Sequence, residues 1–295
     1  MRRFFLLFNC KRIATISAWL SAWLSPSLKP TFFKMTIGLT IASVVAAALT
    51  VLWLKPSDRN RLKILVAFSG SYLLSITALH LLPEVFKGDG RGPYFGAFVL
   101  VGFFLQVMLE YLTGGIEHGH THHDKKDALP IGLLVGLCLH AFFEVIPLGG
   151  VDDVHAHSHA GHDHSHDHGH SHGHSHSHGS EPWQIGLLWG VVLHKYPVAI
   201  VFFSMLLKNG MSKTKSLLLL AVFGAMAPLG IWLGGWEVLQ SFRRESTAIV
   251  IGILLHVSTT ILFESSEGHK FNAYKMLAIA FGLALAGVGM MFHHH

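Results

Sequence analysis

Eight apolar segments, each about as long as a membrane span, constrain this chain more than any other feature of its sequence. A helix of about 20 apolar residues crosses the hydrocarbon core of a bilayer, where only helices and closed barrels satisfy their backbone hydrogen bonds. Charged residues make up 13% of the chain, about half the share in soluble domains. The sequence therefore predicts an all-α membrane protein with eight spans, numbered in chain order, over about 36–54, 64–86, 94–113, 129–149, 183–207, 215–236, 246–264 and 272–292.

Lysine and arginine in the short loops predict how these spans are oriented. From Met35 onward, eleven basic residues lie in the loops after spans 1, 3, 5 and 7, and four lie after spans 2, 4 and 6. Cytoplasmic loops carry the excess of positive charge. We therefore expect both chain termini outside the cytoplasm. The expected location is a bacterial inner membrane.

Residues 1–34 form an N-terminal extension whose composition differs from the rest of the chain. The extension has six basic and no acidic residues, so the remainder has 22 − 6 = 16 basic against 17 acidic side chains. The formal charge of +5 thus belongs to the extension, and nucleic-acid binding has no support. Two interpretations stay open: a targeting segment, or a translation start at Met35, which we favour.

Spans 2 and 7 show a weak internal symmetry. Span 2 ends in His80-Leu-Leu-Pro-Glu84, and an offset of 180 residues places Glu264, at the end of span 7, on Glu84. Four spans separate the two, as in the inverted repeats of many transporters. The symmetry favours an inverted-repeat bundle over residues 36–292.

Every second residue or so between positions 155 and 178 is a histidine, within a loop (150–181) that follows span 4 outside the cytoplasm. Small and polar residues fill the other positions, so no packed core can form there. Imidazole is the commonest protein ligand for zinc and related metals. We expect a flexible metal-collecting loop, whose histidines are His155, His157, His159, His162, His164, His166, His168, His170, His172, His174, His176 and His178.

Ionisable side chains inside the spans are functional candidates, because each costs several kcal/mol in a bilayer. His140 and Glu144 in span 4 lie one helical turn apart on the same face, where both could bind one metal ion at about 2.0–2.2 Å. His194 in span 5 could be a third ligand if spans 4 and 5 pack antiparallel. The alternative is that His140 and Glu144 only pair with each other and that a backbone carbonyl satisfies His194.

Other candidates have weaker support from their positions. Glu110, near the end of span 3, is expected to lie at the membrane–water interface. The additional metal-ligand candidates are His80, His256 and Glu264, and a minor cytoplasmic patch consists of His118, His120, His122 and His123.

The motifs in these spans, taken together, resemble those of the ZIP (Zrt/Irt-like) metal transporters. The resemblance covers residues 36–292 and rests on the end of span 2, the His-rich loop, His140-x-x-x-Glu144 and His194-x-x-Pro197. It implies eight spans with both termini outside. It also implies a transport site for divalent metals, mainly zinc, on spans 4 and 5, within a bundle that exposes the site alternately to each side.

The chain departs from the family pattern at several positions. Lys195 and Val198 stand in span 5 where relatives have further ligands, and Ala141 and Val145 replace the family's Asn and Gly in span 4. The long His-rich loop follows span 4 on the outside, whereas the family's usual one joins spans 3 and 4 inside. The ammonium of Lys195 could occupy the space of a second cation, so we expect a site for a single metal ion.

The resulting prediction is a secondary transporter that moves Zn²⁺, or a similar divalent ion, into the cytoplasm. The patterns GxxxxGK[ST] and HExxH are both absent, so we expect neither an ATP-driven pump nor a metallohydrolase, no enzyme activity and no cofactor. The expected partners are the metal ion and the lipid bilayer, with a homodimer left open. The alternatives are a Ni²⁺, Co²⁺ or Fe²⁺ transporter of the same fold and a membrane metal sensor or chaperone that does not transport.

Overall fold

The computed structural model describes residues 30–54, 59–88, 90–113, 131–149, 182–264 and 273–291. Residues 1–29, the His118–His123 patch and the His-rich tract lie outside the described residues. Within the described ranges, a π-helical turn (Thr77–Leu81) separates α2 from α3, and a 3-10 turn (Ile146–Leu148) follows α5. The α-helices are α1 (Pro30–Leu54), α2 (Arg59–Ile76), α3 (Leu82–Phe86), α4 (Gly92–Thr113), α5 (Ile131–Phe143), α6 (Pro182–Lys208), α7 (Lys213–Gly234), α8 (Glu237–Ser241), α9 (Arg243–Glu264) and α10 (Ala273–Met291).

Six of the described helical segments are long and apolar enough to cross a membrane: Phe32–Leu54, Arg61–Phe86, Gly92–Tyr111, Trp183–Lys208, Lys213–Gly234 and Arg243–Phe263. Two shorter apolar segments, Gly132–Leu148 and Ala273–Val288, correspond to predicted spans 4 and 8. The prediction of an all-α membrane protein is confirmed. The count of eight crossings stays a prediction, because it depends on the two shorter segments.

The helices pack around two large clusters of buried apolar side chains. Helices α1, α5, α6 and α7 surround one cluster, and we call these four helices the site bundle. Helices α2, α4, α9 and α10, which we call the flanking group, form much of the other cluster, to which the N-terminal half of α6, the C-terminal half of α7, helix α3 and the turns after α2 and α5 also contribute. Lipid tails are as apolar as leucine, so close van der Waals packing, rather than a hydrophobic driving force, holds such helices together.

Two glycines bring α4 and α9 into backbone contact. A Cβ atom at Gly102 would overlap the carbonyl group of Ile249, and a Cβ atom at Gly252 would overlap the carbonyl group of Val99. Small residues permit this close approach between membrane helices. Helix α4 is thereby held directly against α9, with no room for a larger side chain at either crossing point.

Helix α5 ends at Phe143, earlier than the predicted end of span 4. Pro147 explains this difference, since its ring clashes in a helix with the carbonyl of the residue four positions earlier, which is Phe143, and it has no amide hydrogen. Glu144 therefore lies in the turn after α5. Its backbone N–H still donates to the His140 carbonyl at 3.1 Å, so the predicted one-turn spacing of the two residues is kept.

The π-helical turn interrupts predicted span 2 at the position of His80. The N–H of Leu82 donates to the carbonyl of Thr77, five residues earlier, and Pro83 has no N–H with which to continue an α-helical pattern. Single π-helical turns are frequent at functional sites. The turn gives His80 a local backbone geometry that the sequence analysis did not anticipate.

Candidate metal site

The three side chains predicted as metal ligands in spans 4 and 5 lie in the interior of the site bundle. His140 belongs to α5, Glu144 to the turn after α5 and His194 to α6, and each is at most 2% exposed. Lys195, the neighbour of His194, is 1% exposed. A buried charge is costly unless it is paired, so the contacts among these residues determine whether the arrangement is stable.

Glu144 stands between a lysine and a histidine. Lys195 Nζ donates a hydrogen bond to Glu144 Oε1 at 2.8 Å, and His140 Nε2 lies 3.5 Å from Glu144 Oε2. The ring centroids of His140 and His194 are 6.1 Å apart, and the two rings are nearly perpendicular. The structure thus brings together the four residues that the sequence analysis singled out in spans 4 and 5.

The distance between His140 and Glu144 suits a shared ion. Two ligands at about 2.1 Å from one tetrahedral Zn²⁺ are about 3.4 Å apart, close to the 3.5 Å between Nε2 and Oε2. In the described part of the chain, however, no three His, Cys, Asp or Glu side chains are grouped so that they could hold a metal ion. A third ligand from this set would require the His194 ring to move closer to His140 Nε2 and Glu144 Oε2.

The Lys195 ammonium also contacts an aromatic ring. Its Nζ lies 4.9 Å from the ring centroid of Phe223 on α7, within the range of a cation–π interaction. The ammonium therefore has two favourable neighbours, a carboxylate and a ring face. Sequence reasoning missed Phe223, because a phenylalanine in an apolar helix gives no functional signal.

Gln106 on α4 is a second residue at the site that the sequence analysis missed. Its side chain is fully buried, and its Oε1 lies 3.1 Å from Nδ1 of His140. A signal was present in the sequence: Gln106 and Glu110 are four residues apart in an otherwise apolar span, which places both on one face of the helix.

His256, a residue of α9, faces α4 within the flanking group. Its Nε2 makes a close contact with Glu110 Oε2, and its ring stands edge-on to Phe103 at 4.8 Å between centroids. The side chains of His256 and Glu110 are 13% and 24% exposed. Glu110 thus pairs with a histidine of the neighbouring helix, whereas its expected position at the membrane–water interface stays a prediction.

His80 and Glu264 are the other two candidate ligands. The structure places His80, partly buried, in the π-helical turn between α2 and α3, and Glu264 is the last residue of α9. Their assignment as ligands stays a prediction.

Comparison with known proteins identifies the family. The family model described as ZIP Zinc transporter matches residues 28–184, just over half of the chain, including Gln106, His140 and Glu144. The alignment with the zinc transporter ZIP13 homolog of Drosophila melanogaster is 290 positions long, gaps included, with 23% identity. It covers 81% of this chain and 80% of that protein. The family model covers more than half of the chain, and the described residues form long apolar helices of membrane-spanning length: the chain belongs to the ZIP zinc transporter family.

Proposed function

We propose that this protein is a secondary transporter that moves Zn²⁺, or a similar divalent ion, into the cytoplasm through a single site formed by His140, Glu144 and His194. The observation that carries the proposal is the environment of Glu144. One carboxylate oxygen is held by the Lys195 ammonium at 2.8 Å, and the other faces an imidazole nitrogen at a distance that one Zn²⁺ could bridge. Membership of the family supports a metal ion as the cargo.

Lys195 acts in this proposal as an internal counter-ion. While no cargo is bound, its ammonium neutralises Glu144 inside the membrane, where an unpaired carboxylate would be costly. An arriving metal ion would bind the other oxygen of Glu144, and the Phe223 ring, 4.9 Å from Nζ, offers the ammonium a second favourable neighbour as the carboxylate charge is shared with the metal. A retained ammonium about 4–5 Å from the metal would repel a second dication by about 3 kcal/mol per unit of ionic charge at an effective dielectric constant of 20–25. The site would therefore hold one ion.

Direction and metal supply follow from the predicted topology. The excess of lysine and arginine in the loops after spans 1, 3, 5 and 7 favours a cytoplasmic location for those loops. The histidine tract between residues 155 and 178 would then face the outside, where it would raise the local concentration of metal ions. The His118–His123 patch would lie on the cytoplasmic side and assist release.

Uptake of Zn²⁺ by proteoliposomes that contain the full chain tests the function. His140→Ala, Glu144→Ala and His194→Ala should each abolish most of the uptake, since each removes a ligand. Ser43→Ala is the control: Ser43 is a buried residue of α1 in the same bundle, and within the described residues its hydroxyl donates to the Thr40 carbonyl of the same helix. This control should transport normally.

The same assay separates the proposal from its alternatives. Normal uptake by all three ligand variants would show that the assigned site is wrong. Binding of metal without flux by the unmodified protein would identify a sensor or chaperone. Uptake of Ni²⁺, Co²⁺ or Fe²⁺ in preference to Zn²⁺ would retain the site and change the cargo.

A further inference from the structure

Gln106 contacts the ring nitrogen of His140 that faces away from Glu144. Nδ1 of His140 lies 3.1 Å from Gln106 Oε1, while Nε2 of the same ring is the atom 3.5 Å from Glu144 Oε2. An amide oxygen can only accept a hydrogen bond, so this contact requires the hydrogen on Nδ1. A neutral imidazole carries its hydrogen on one nitrogen and a lone pair on the other. An acceptor at Nδ1 keeps the hydrogen there and leaves the Nε2 lone pair directed towards the space that a metal would share with Glu144.

Gln106 belongs to the flanking group, whereas His140 belongs to the site bundle. Gly102, Gln106 and Glu110 follow each other at intervals of four residues along one face of α4. Gly102 is in contact with the backbone of α9, and Glu110 is paired with His256 of α9. Helix α4 is thus held against α9 on both sides of Gln106.

We infer that Gln106 is a positioning residue for metal binding: it sets the tautomer and the orientation of the His140 ring from a helix outside the site bundle. Outer partners of this kind orient a ligating histidine and raise its basicity, and their loss costs about 10–100-fold in metal affinity. The inference rests on the proposed role of His140 as a ligand. The contact between Gln106 and His140 would then link the flanking group to the site bundle and help to set the affinity of the site for the metal.

The test compares the KM and the maximal rate of Zn²⁺ uptake by the full chain in proteoliposomes at buffered free Zn²⁺ concentrations. Gln106→Leu, which keeps the approximate volume and removes the acceptor, should raise KM about tenfold or more and change the maximal rate much less. Gln106→Glu retains an acceptor of the same length and should restore a KM close to that of the unmodified protein. KM does not depend on the amount of inserted protein, so a variant with reduced folding yield still gives an answer.

Gln184→Leu is the matched control. Gln184 is also a fully buried glutamine, but it lies ten residues before His194 on α6, about 15 Å along the helix. Its substitution should leave KM unchanged, whereas a purely structural effect of removing a buried amide would change both variants alike.

Two outcomes overturn the inference. One is an unchanged KM in Gln106→Leu, and the other is a KM in Gln106→Glu as high as in Gln106→Leu, since the acceptor would then be irrelevant. The proposed function fails separately, if His140→Ala also transports normally. If His140→Ala abolishes uptake and Gln106→Leu does not change KM, only the role of Gln106 is refuted.

Discussion

Two histidine–glutamate pairs of the described residues, His140 with Glu144 and His256 with Glu110, lie within predicted membrane spans, and their surroundings differ. His140 and Glu144 are almost completely buried, and their side chains stand 3.5 Å apart with a lysine on the carboxylate. His256 and Glu110 are partly exposed and contact each other directly between two helices. In the first pair, Lys195 occupies one carboxylate oxygen, and the other oxygen stands at a distance from His140 that a shared metal ion could bridge. In the second pair, the carboxylate and the imidazole contact each other directly, as expected of a structural contact between helices. The same residue types thus stand in two different arrangements, and only the first suits the proposed transport site.

The largest expected difference between the two pairs concerns transport. Glu144→Gln removes both a ligand and the partner of Lys195, so uptake should fall by more than about 100-fold, since losing an outer partner alone costs 10–100-fold in metal affinity. Glu110→Gln can still accept a hydrogen bond from His256, and uptake should change by about threefold or less, in line with the modest worth of polar contacts between membrane helices. Initial uptake rates, normalised to inserted protein, measure both. Equal losses in the two variants would contradict the assignment of separate roles.

The second prediction concerns the number of metal ions bound. Lys195→Glu replaces the internal cation with a carboxylate at the position where relatives have a ligand, and it removes the repulsion of about 3 kcal/mol per unit of ionic charge. Calorimetric titration of a variant that lacks residues 155–178 should show one intramembrane Zn²⁺ per chain. When Lys195→Glu is added to that variant, the number of bound Zn²⁺ ions should rise to two, or the single ion should bind more tightly. Lys195→Arg keeps the positive charge, so this variant should still bind one Zn²⁺ per chain. Two ions in the unmodified site would refute the counter-ion role of Lys195.

The sequence identified the residues of the site bundle better than those of the flanking group. His140, Glu144, His194 and Lys195 could be found because an ionisable group in an apolar span is costly and therefore conspicuous. Gln106 was missed, since an uncharged amide is less conspicuous and its role depends on a partner 34 positions away. The pairing of Glu110 with His256 spans 146 positions, and no local pattern predicts which helices meet. Gly102 and Gly252 permit the close contact between α4 and α9. Their role can be recognised only from the structure, which shows the carbonyl groups that a larger side chain would overlap.

The third prediction tests whether the flanking group depends on backbone contact. Gly252→Ala places a methyl group against the carbonyl of Val99, and such overpacking should lower the free energy of unfolding by about 1–3 kcal/mol. Gly96→Ala on α4 is the control, because a Cβ atom there meets nothing within 4 Å. Unfolding titrations in mixed micelles compare the two. Equal stability of both variants would mean that α4 and α9 are not held by this crossing.

The smallest expected effect is that of removing His256. His256→Ala eliminates the contact with Glu110 and the edge-on contact with Phe103. Polar contacts between membrane helices contribute about 0.6–1.7 kcal/mol, so the free energy of unfolding should fall by about that amount. His256→Gln, which can still donate to Glu110, should lose less. The KM for Zn²⁺ should remain unchanged in both variants, because the proposed site uses His140 and His194. A rise in KM of tenfold or more in His256→Ala would instead support the sequence prediction that His256 is a metal ligand. The two histidine–glutamate pairs would then no longer have separate roles.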